Sequence, residues 1–491
     1  MTQHLILAID QGTTGSTVVL FDDAFCVVSR GYAEVPTQYP QPGWVEQNPT
    51  DIWESVVKAL SAALSLPSVN ISSIAAIGVT NQRETTILWD RKTGEPVAPA
   101  IVWQCRRTEG ICEDLRHHGL SDFYHRTTGL VLDPYFSGTK IRWLLDHYNL
   151  HGRAKAGELA FGTVDSYLLW RLTGNTVHAT DPSNASRTLL MNLRFCQWDE
   201  ALLEPLQIPR ALLPQILPSC HEFGLTQGVP GLPDGIPITA ILGDQQAALF
   251  GQGAIFEGNM KCTYGTGAFL VMNTGTRAPL SEQLLTTVAW NIGGIPTYAV
   301  EGSAFIAGAA VQWLRDQLGW IRSASEIEEL ARTVDDNGGV FFVPALTGLG
   351  APHWRPDARG MFWGLTRGTQ KGHMARAVLE GIALQNMELV QLMEQVAGRS
   401  VPFLGVDGGA SRNDLLMQFQ ADIIQRELRR PANIETTAAG VAMMAALGGG
   451  VLSDLSRIPE HVQLERRFLP AMDPARVQWY MRQWCEIVAK A

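Results

Sequence analysis

No CxxC pair occurs in this chain. Its seven cysteines lie scattered from Cys26 to Cys485, which argues against a disulfide framework and a cysteine-based zinc site and predicts a reduced, cytoplasmic protein. The eleven histidines show no metal-ligand spacing. A net charge of −10 with no long Lys/Arg block leaves no electrostatic footprint for DNA, RNA or an anionic membrane. No apolar stretch reaches membrane-spanning length, and Asp10 interrupts the only early apolar run, so neither signal peptide nor anchor is expected. Low-complexity segments are missing too. So are the GxxxxGK[ST] loop and the catalytic-loop and DFG set of protein kinases. Any phosphate binding must therefore be local and of another lineage.

What is present is a repeat. ILAIDQGTTGSTVVLFD at 6–22 and MKCTYGTGAFLVM at 260–272 each read as an apolar strand, a Gly/Thr turn and a second apolar strand. Glycines (Gly12, Gly15; Gly265, Gly267) allow tight turns, and hydroxyls (Thr13, Thr14, Ser16; Thr266) with bare N–H groups suit an anion. Either turn alone reads more readily as a plain hairpin that binds nothing. Together they predict a nucleotide held by its phosphates between two related halves. Asp10, at a strand end, would repel those phosphates unless a divalent cation, magnesium, lay between. At 491 residues two domains are expected, 1–250 and 251–491, with a cleft between them.

Strand-like and helical patterns alternate throughout, predicting an α/β fold with a largely central sheet. Asn48 caps and Pro49 starts an amphipathic helix that covers the sheet. IAAIGVT (74–80) and TTILW (85–89) read as strands that leave Asn81, Gln82, Arg83 and Glu84 in their connection. IPITAIL (236–242) is a strand that runs into Gly243, Asp244 and a short helix. FLGVD (403–407), the Gly408–Gly409 turn and a helix from about Asn413 to Gln425 form a third anion or nucleotide site. TTAAGVAMMAALGGG (436–450) is a small-residue helix suited to close packing against a neighbour or a ligand.

A nucleotide clamp with magnesium can transfer a phosphoryl group to an acceptor held in line. Asp244 can serve as base for an acceptor hydroxyl or cap the helix that follows it, and spacing does not separate the two. Arg83 and Glu84, donor beside acceptor, suit the adjacent hydroxyls of a polyol or form a surface ion pair.

IDQGTT (9–14), TNQRETT (80–86), IVWQCRRT (101–108), DPYFSGTK (133–140), FGTVDS (161–166), SNASRT (183–188), GDQQAALFGQ (243–252), TYGTG (263–267) and VDGGASRN (406–413) together resemble the FGGY carbohydrate kinase family, in order along nearly the whole chain. The resemblance implies two actin-like ATPase (ribonuclease H-like) domains around a central catalytic cleft and phosphorylation of glycerol by ATP to sn-glycerol 3-phosphate. It implies that Arg83, Glu84, Tyr135, Asp244 and Gln245 bind glycerol, with Asp244 as catalytic base, and that Trp103 and Phe269 wall the pocket. Nucleotide roles carry over to Thr13, Thr14 and Gly15, to Thr266, to Gly308 and Gln312 in the helix after Ser303, and to Gly409 and Asn413. Asp10 matches the residue near Mg2+, and a homo-oligomer, dimer or tetramer, is implied.

Two departures stand out. Where many members read TTSSR or TTSTR, this chain reads TTGST, with Thr17 in the arginine's place and Gly15 offering a freer N–H to the phosphate. A loop that carries an arginine for an inhibitory sugar bisphosphate in some members reads GVPGLPDGIPI here, so that regulation is not expected. A ketopentose or other polyol kinase is the competing enzyme reading, and an actin-like ATP-driven switch the competing non-enzyme.

Overall fold

The computed structural model describes residues 4–491 except Ser68, Trp354, Pro356 and Ile434. A strand covered on both faces should read apolar at consecutive positions, and Leu5–Gln11 (β1) is buried from Leu5 to Ile9. It pairs antiparallel with Gly15–Phe21 (β2), which pairs antiparallel with Val27–Glu34 (β3). On its other side β1 runs parallel to Ile74–Asn81 (β4). Cys220–Leu225 (β5) and Pro237–Gly243 (β6) follow, and β6 runs parallel to β4.

The second half contributes Met260–Tyr264 (β7), Ala268–Gly275 (β8), Leu285–Ile292 (β9), Ile295–Ala304 (β10), Phe403–Asp407 (β11), Glu427–Pro431 (β12) and Leu464–Phe468 (β13). The order β3-β2-β1-β4-β6 recurs as β10-β8-β7-β11-β12, with the same two antiparallel and two parallel pairings. The repeat seen in two short segments is thus a repeat of whole half-sheets. They join through β5 and β9, where Cys220 sits opposite Ile292.

Asn48 accepts from Thr50 N at 3.0 Å and starts Pro49–Leu64 (α1) as its cap. This helix lies so close on β3 that a Cβ at Gly31 would stand 2.0 Å from the Ala59 carbonyl. Asp244–Gly251 (α2), Gly308–Asp316 (α3), Asp414–Ile424 (α4) and Thr436–Gly448 (α5) are the helices that bear on the site. The small residues of α5 serve packing between the halves: a Cβ at Gly251 would lie 2.0 Å from the Thr436 carbonyl, and one at Gly440 1.9 Å from the Ala247 carbonyl. Alanines of α5 join Ile6, Ala8, Leu242 and Phe250 in one apolar cluster that draws on both halves.

One expected strand differs. The segment after Glu84 becomes regular only at Ile87–Asp90, and it pairs with Leu159–Gly162 outside the large sheet. Residues 81–84 are buried beneath an inserted layer between β4 and β5 with its own core. No helix among the described residues is long and apolar enough to cross a membrane.

Candidate active site

Where β4 ends, backbone strain marks a place of interest. Glu84 adopts φ +61° although it is not glycine, and it is buried; such outliers persist only when surroundings over-determine them, and they cluster at functional sites. Its carbonyl accepts from Ser137 Oγ and Thr86 Oγ1, both at 3.0 Å.

Arg83 and Glu84 are no surface pair, and they scarcely pair with each other (Nε–Oε1 3.9 Å). Arg83 Nη1 donates to both oxygens of Glu301 at 2.8 and 2.9 Å and to Gln246 Oε1 at 3.2 Å. Arg187 Nε donates to Glu84 at 2.5 Å, and its Nη1 stands 3.4 Å from Glu301. Glu301 also accepts from Thr287 Oγ1 and Gln246 Nε2. Burial alone would push the Glu301 carboxyl up, yet Arg187 and Arg83 overcome it and hold it at about 2. Arg187 lies in SNASRT without having been singled out, and Glu301 and Gln246 were missed; a lone acid inside the apolar run of β10 is the signal that marks Glu301.

Asp244 differs from these partners. Its side chain is 29% exposed, against 3% for Arg83, 2% for Glu84, 1% for Arg187 and 9% for Glu301. It opens α2 as the first helical residue, with Gly243 as cap, and accepts from Gln245 N at 2.7 Å while Arg83 Nε stands at 3.3 Å. Burial raises its pKa and Glu84 adds to the rise, against the pull of Arg83. Gln245 accepts from Lys261, which also donates to Thr263.

The aromatic walls assemble from separate elements. Trp103 and Tyr135 meet with ring centroids 5.5 Å apart, and Arg187 lies over the Tyr135 ring at 5.1 Å. Buried Lys140 pins the segment around Tyr135 by donating to the carbonyls of Pro134, Tyr135 and Phe136. Phe269 sits opposite Thr263 and Ser303; with period-two alternation this is the face that presents Lys261 and Glu301.

The first turn is tied to this cluster. Gln82 donates to Gln11 and Gln47, Gln47 donates to the Thr13 carbonyl at 2.6 Å, and Trp103 Nε1 donates to Thr13 Oγ1 at 2.9 Å. Thr14 is exposed at the tip. One expectation changes here. Ser16 does not face the turn: strand alternation turns it inward to Ser55 Oγ at 2.6 Å. Gly15 has a packing reason, since a Cβ there would stand 2.6 Å from the Ala33 carbonyl and 2.7 Å from the Tyr32 ring.

In the second turn, Thr266 is exposed while its carbonyl accepts from Ala307 and Ala309, and Gly308 N donates to Gly265. A Cβ at Gly308 would lie 2.6 Å from the Gly265 carbonyl, so α3 begins directly against the turn, with Gln312 exposed about one helical turn on. In the third, Gly408 (φ +83°) backs onto Tyr264, Gly409 is open, and Asn413 Oδ1 caps α4 at Leu416 N, 2.8 Å.

Asp10 faces Thr17 in the β1–β2 register. Burial, then Asp244 and Glu435, push its carboxyl up to about 8, opposed by Arg30. Arg30 itself pairs with Glu435 at 3.0 Å. A carboxylate so short of positive charge is a donor set that fits a hard divalent cation. Among the described residues no three His, Cys, Asp or Glu form a metal cage.

Comparison with known proteins gives a consistent result. The N-terminal domain of the FGGY family of carbohydrate kinases matches residues 5–251, and its C-terminal domain residues 260–448. Glycerol kinase of Alkalilimnicola ehrlichii is 54% identical over 99% of this chain and 98% of its own length. Glycerol kinase 2 of Thermotoga maritima is 52% identical with the same coverage of both. Among solved structures, Plasmodium falciparum glycerol kinase with ADP superposes with a TM-score of 0.94 at 35% identity, covering 99% of this chain and 98% of that one. A xylulose kinase from Lactobacillus acidophilus, at 24% identity and a TM-score of 0.88 over 99% and 97% of the two chains, shares the fold. The chain belongs to the FGGY family of carbohydrate kinases, with their two-domain, actin-like ATPase architecture.

Proposed function

We propose that this protein is an ATP-dependent kinase that phosphorylates glycerol to sn-glycerol 3-phosphate, with domains 1–250 and 251–491 closing on the reactants. The observation that carries the reading is the partly exposed carboxylate of Asp244, set in an otherwise buried group of two guanidiniums and two further carboxylates. Three adjacent hydroxyls need donors and acceptors together, and Arg83, Glu84, Tyr135 and Gln245 offer both. Asp244 takes the proton of the attacking hydroxyl, and the rise in its pKa caused by burial makes its carboxylate a stronger base. Trp103, Tyr135 and Phe269 shape the carbon side of the pocket and exclude water. Thr13, Thr14 and Gly15 in the first turn, Thr266 in the second, Gly308 and Gln312 on α3, and Gly409 and Asn413 in the third turn are the proposed nucleotide contacts. Asp10 is the proposed protein ligand for magnesium, which when bound neutralises charge on the phosphates.

The experiment is coupled ADP release with magnesium-ATP, comparing glycerol, dihydroxyacetone, erythritol, xylulose and no acceptor. Strong preference for glycerol is expected. Acceptor-independent hydrolysis alone would favour a switch module, and preference for xylulose would overturn the polyol assignment of Arg83 and Glu84.

A further inference from the structure

At the sheet edge far along the second half, β12 and β13 place Arg429 directly opposite Arg467. Like charges so opposed destabilise an antiparallel pair, and these two line a cavity of about 610 Å³. One carboxylate serves both: Glu427 Oε2 accepts from Arg429 Nη2 at 3.0 Å, and its Oε1 lies 3.5 Å from Arg467 Nε. Arg429 Nε is buried without a hydrogen-bond partner, and its guanidinium stacks 3.8 Å over the Phe403 ring. The next pair along the same strands, Arg430 opposite Arg466, is balanced differently. There Glu465 and Asp414 supply two carboxylates for two guanidiniums.

The cavity thus holds an excess positive charge, beside apolar walls from Phe256, Phe403, Val462 and Leu464. Gln252, just past α2, also lines it and donates to Asp407 Oδ2 at 3.0 Å. An occupant would touch a residue joining the helix of Asp244 to the turn at Gly408.

We propose that this cavity binds a small phosphorylated molecule with an apolar body, its phosphate held between Arg429 and Arg467 and its body against Phe256 and Phe403. Guanidinium forks match phosphate oxygens in pairs, and the added negative charge relieves the cross-strand repulsion. The inference is independent of the acceptor assigned above.

The test is calorimetric titration of the intact protein, pre-saturated with magnesium-ADP, using phenyl phosphate and inorganic phosphate as probes. One equivalent of phenyl phosphate is expected to bind at least about 10-fold more tightly than inorganic phosphate. Arg429→Gln and Arg467→Gln should each weaken it about 10-fold or more, while Arg466→Gln should not. Without probe, Arg467→Gln should melt at or above the wild-type temperature, because a repulsion is removed. It changes an exposed side chain, so the test survives if Arg429→Gln misfolds. No saturable binding, or binding indifferent to both substitutions, would overturn the site; equal affinity for the two probes would overturn the apolar body.

Discussion

Glu301→Gln removes the charge on which both site guanidiniums converge while keeping the side chain's shape. The carboxyl sits at about 2 against an ordinary 4.5; at about 1.36 kcal/mol per pH unit, the ionised form contributes about 3 kcal/mol to folding. The amide keeps one acceptor oxygen, so a loss of about 2–3 kcal/mol remains, and Arg83 and Arg187 are left under-compensated. For a domain of about 250 residues this lowers Tm by roughly 4–12 °C. The sign follows from the lowered pKa: the contribution is complete above about 4.5 and is lost as pH falls from there towards about 2. The gap between wild type and variant should therefore be full at pH 7 and narrow below about pH 4.5. Since Glu301 also orients Arg83, KM for glycerol should rise more than kcat falls. Thermal melts across pH 7 to 3.5, with coupled ADP release at pH 7, read all of this. A gap under about 2 °C at pH 7, or one that stays constant to pH 3.5, would refute the reasoning.

Other outcomes are equally specific. Asp244→Asn should retain glycerol binding but turn over at least about 100-fold more slowly, and near-normal turnover in the coupled assay would reject Asp244 as base. His178 is held neutral, its pKa pushed down to about 4 by burial, with Nε2 2.7 Å from the Phe161 carbonyl. Its contribution is complete above about 6.5 and is lost as pH falls towards about 4, so His178→Asn should flatten the fall in Tm between pH 6.5 and 5. Gly440→Ala should destabilise by roughly 3 kcal/mol or more, because the added methyl would stand 1.9 Å from a carbonyl oxygen; an unchanged Tm would mean that α2 and α5 part readily.

Much was legible from local pattern. Asn48 and Pro49 announced α1, the apolar runs announced β1, β4, β6 and β11, and the small residues of α5 announced a close neighbour. Ser16 misled because the turn and the strand share residues: once pairing begins, alternation sends Thr17 to the side of Asp10 and Ser16 to the side of α1. The charged group around Arg83 was half visible. Its acids and bases meet across separations of up to 218 positions, and no local period encodes which distant carboxylate a guanidinium will find. The strain at Glu84 is likewise imposed by surroundings that only the folded chain supplies.

The backbone-to-backbone crossing of α2 and α5 limits how the two helices can shift against one another. Where glycine faces carbonyl without an intervening side chain, sliding is blocked by direct collision while tilting is not. Asp244 stands about five residues, roughly 7 Å, from the middle of that crossing. Two missing methyl groups thus let the helix that carries Asp244 lie directly on the backbone of the second half.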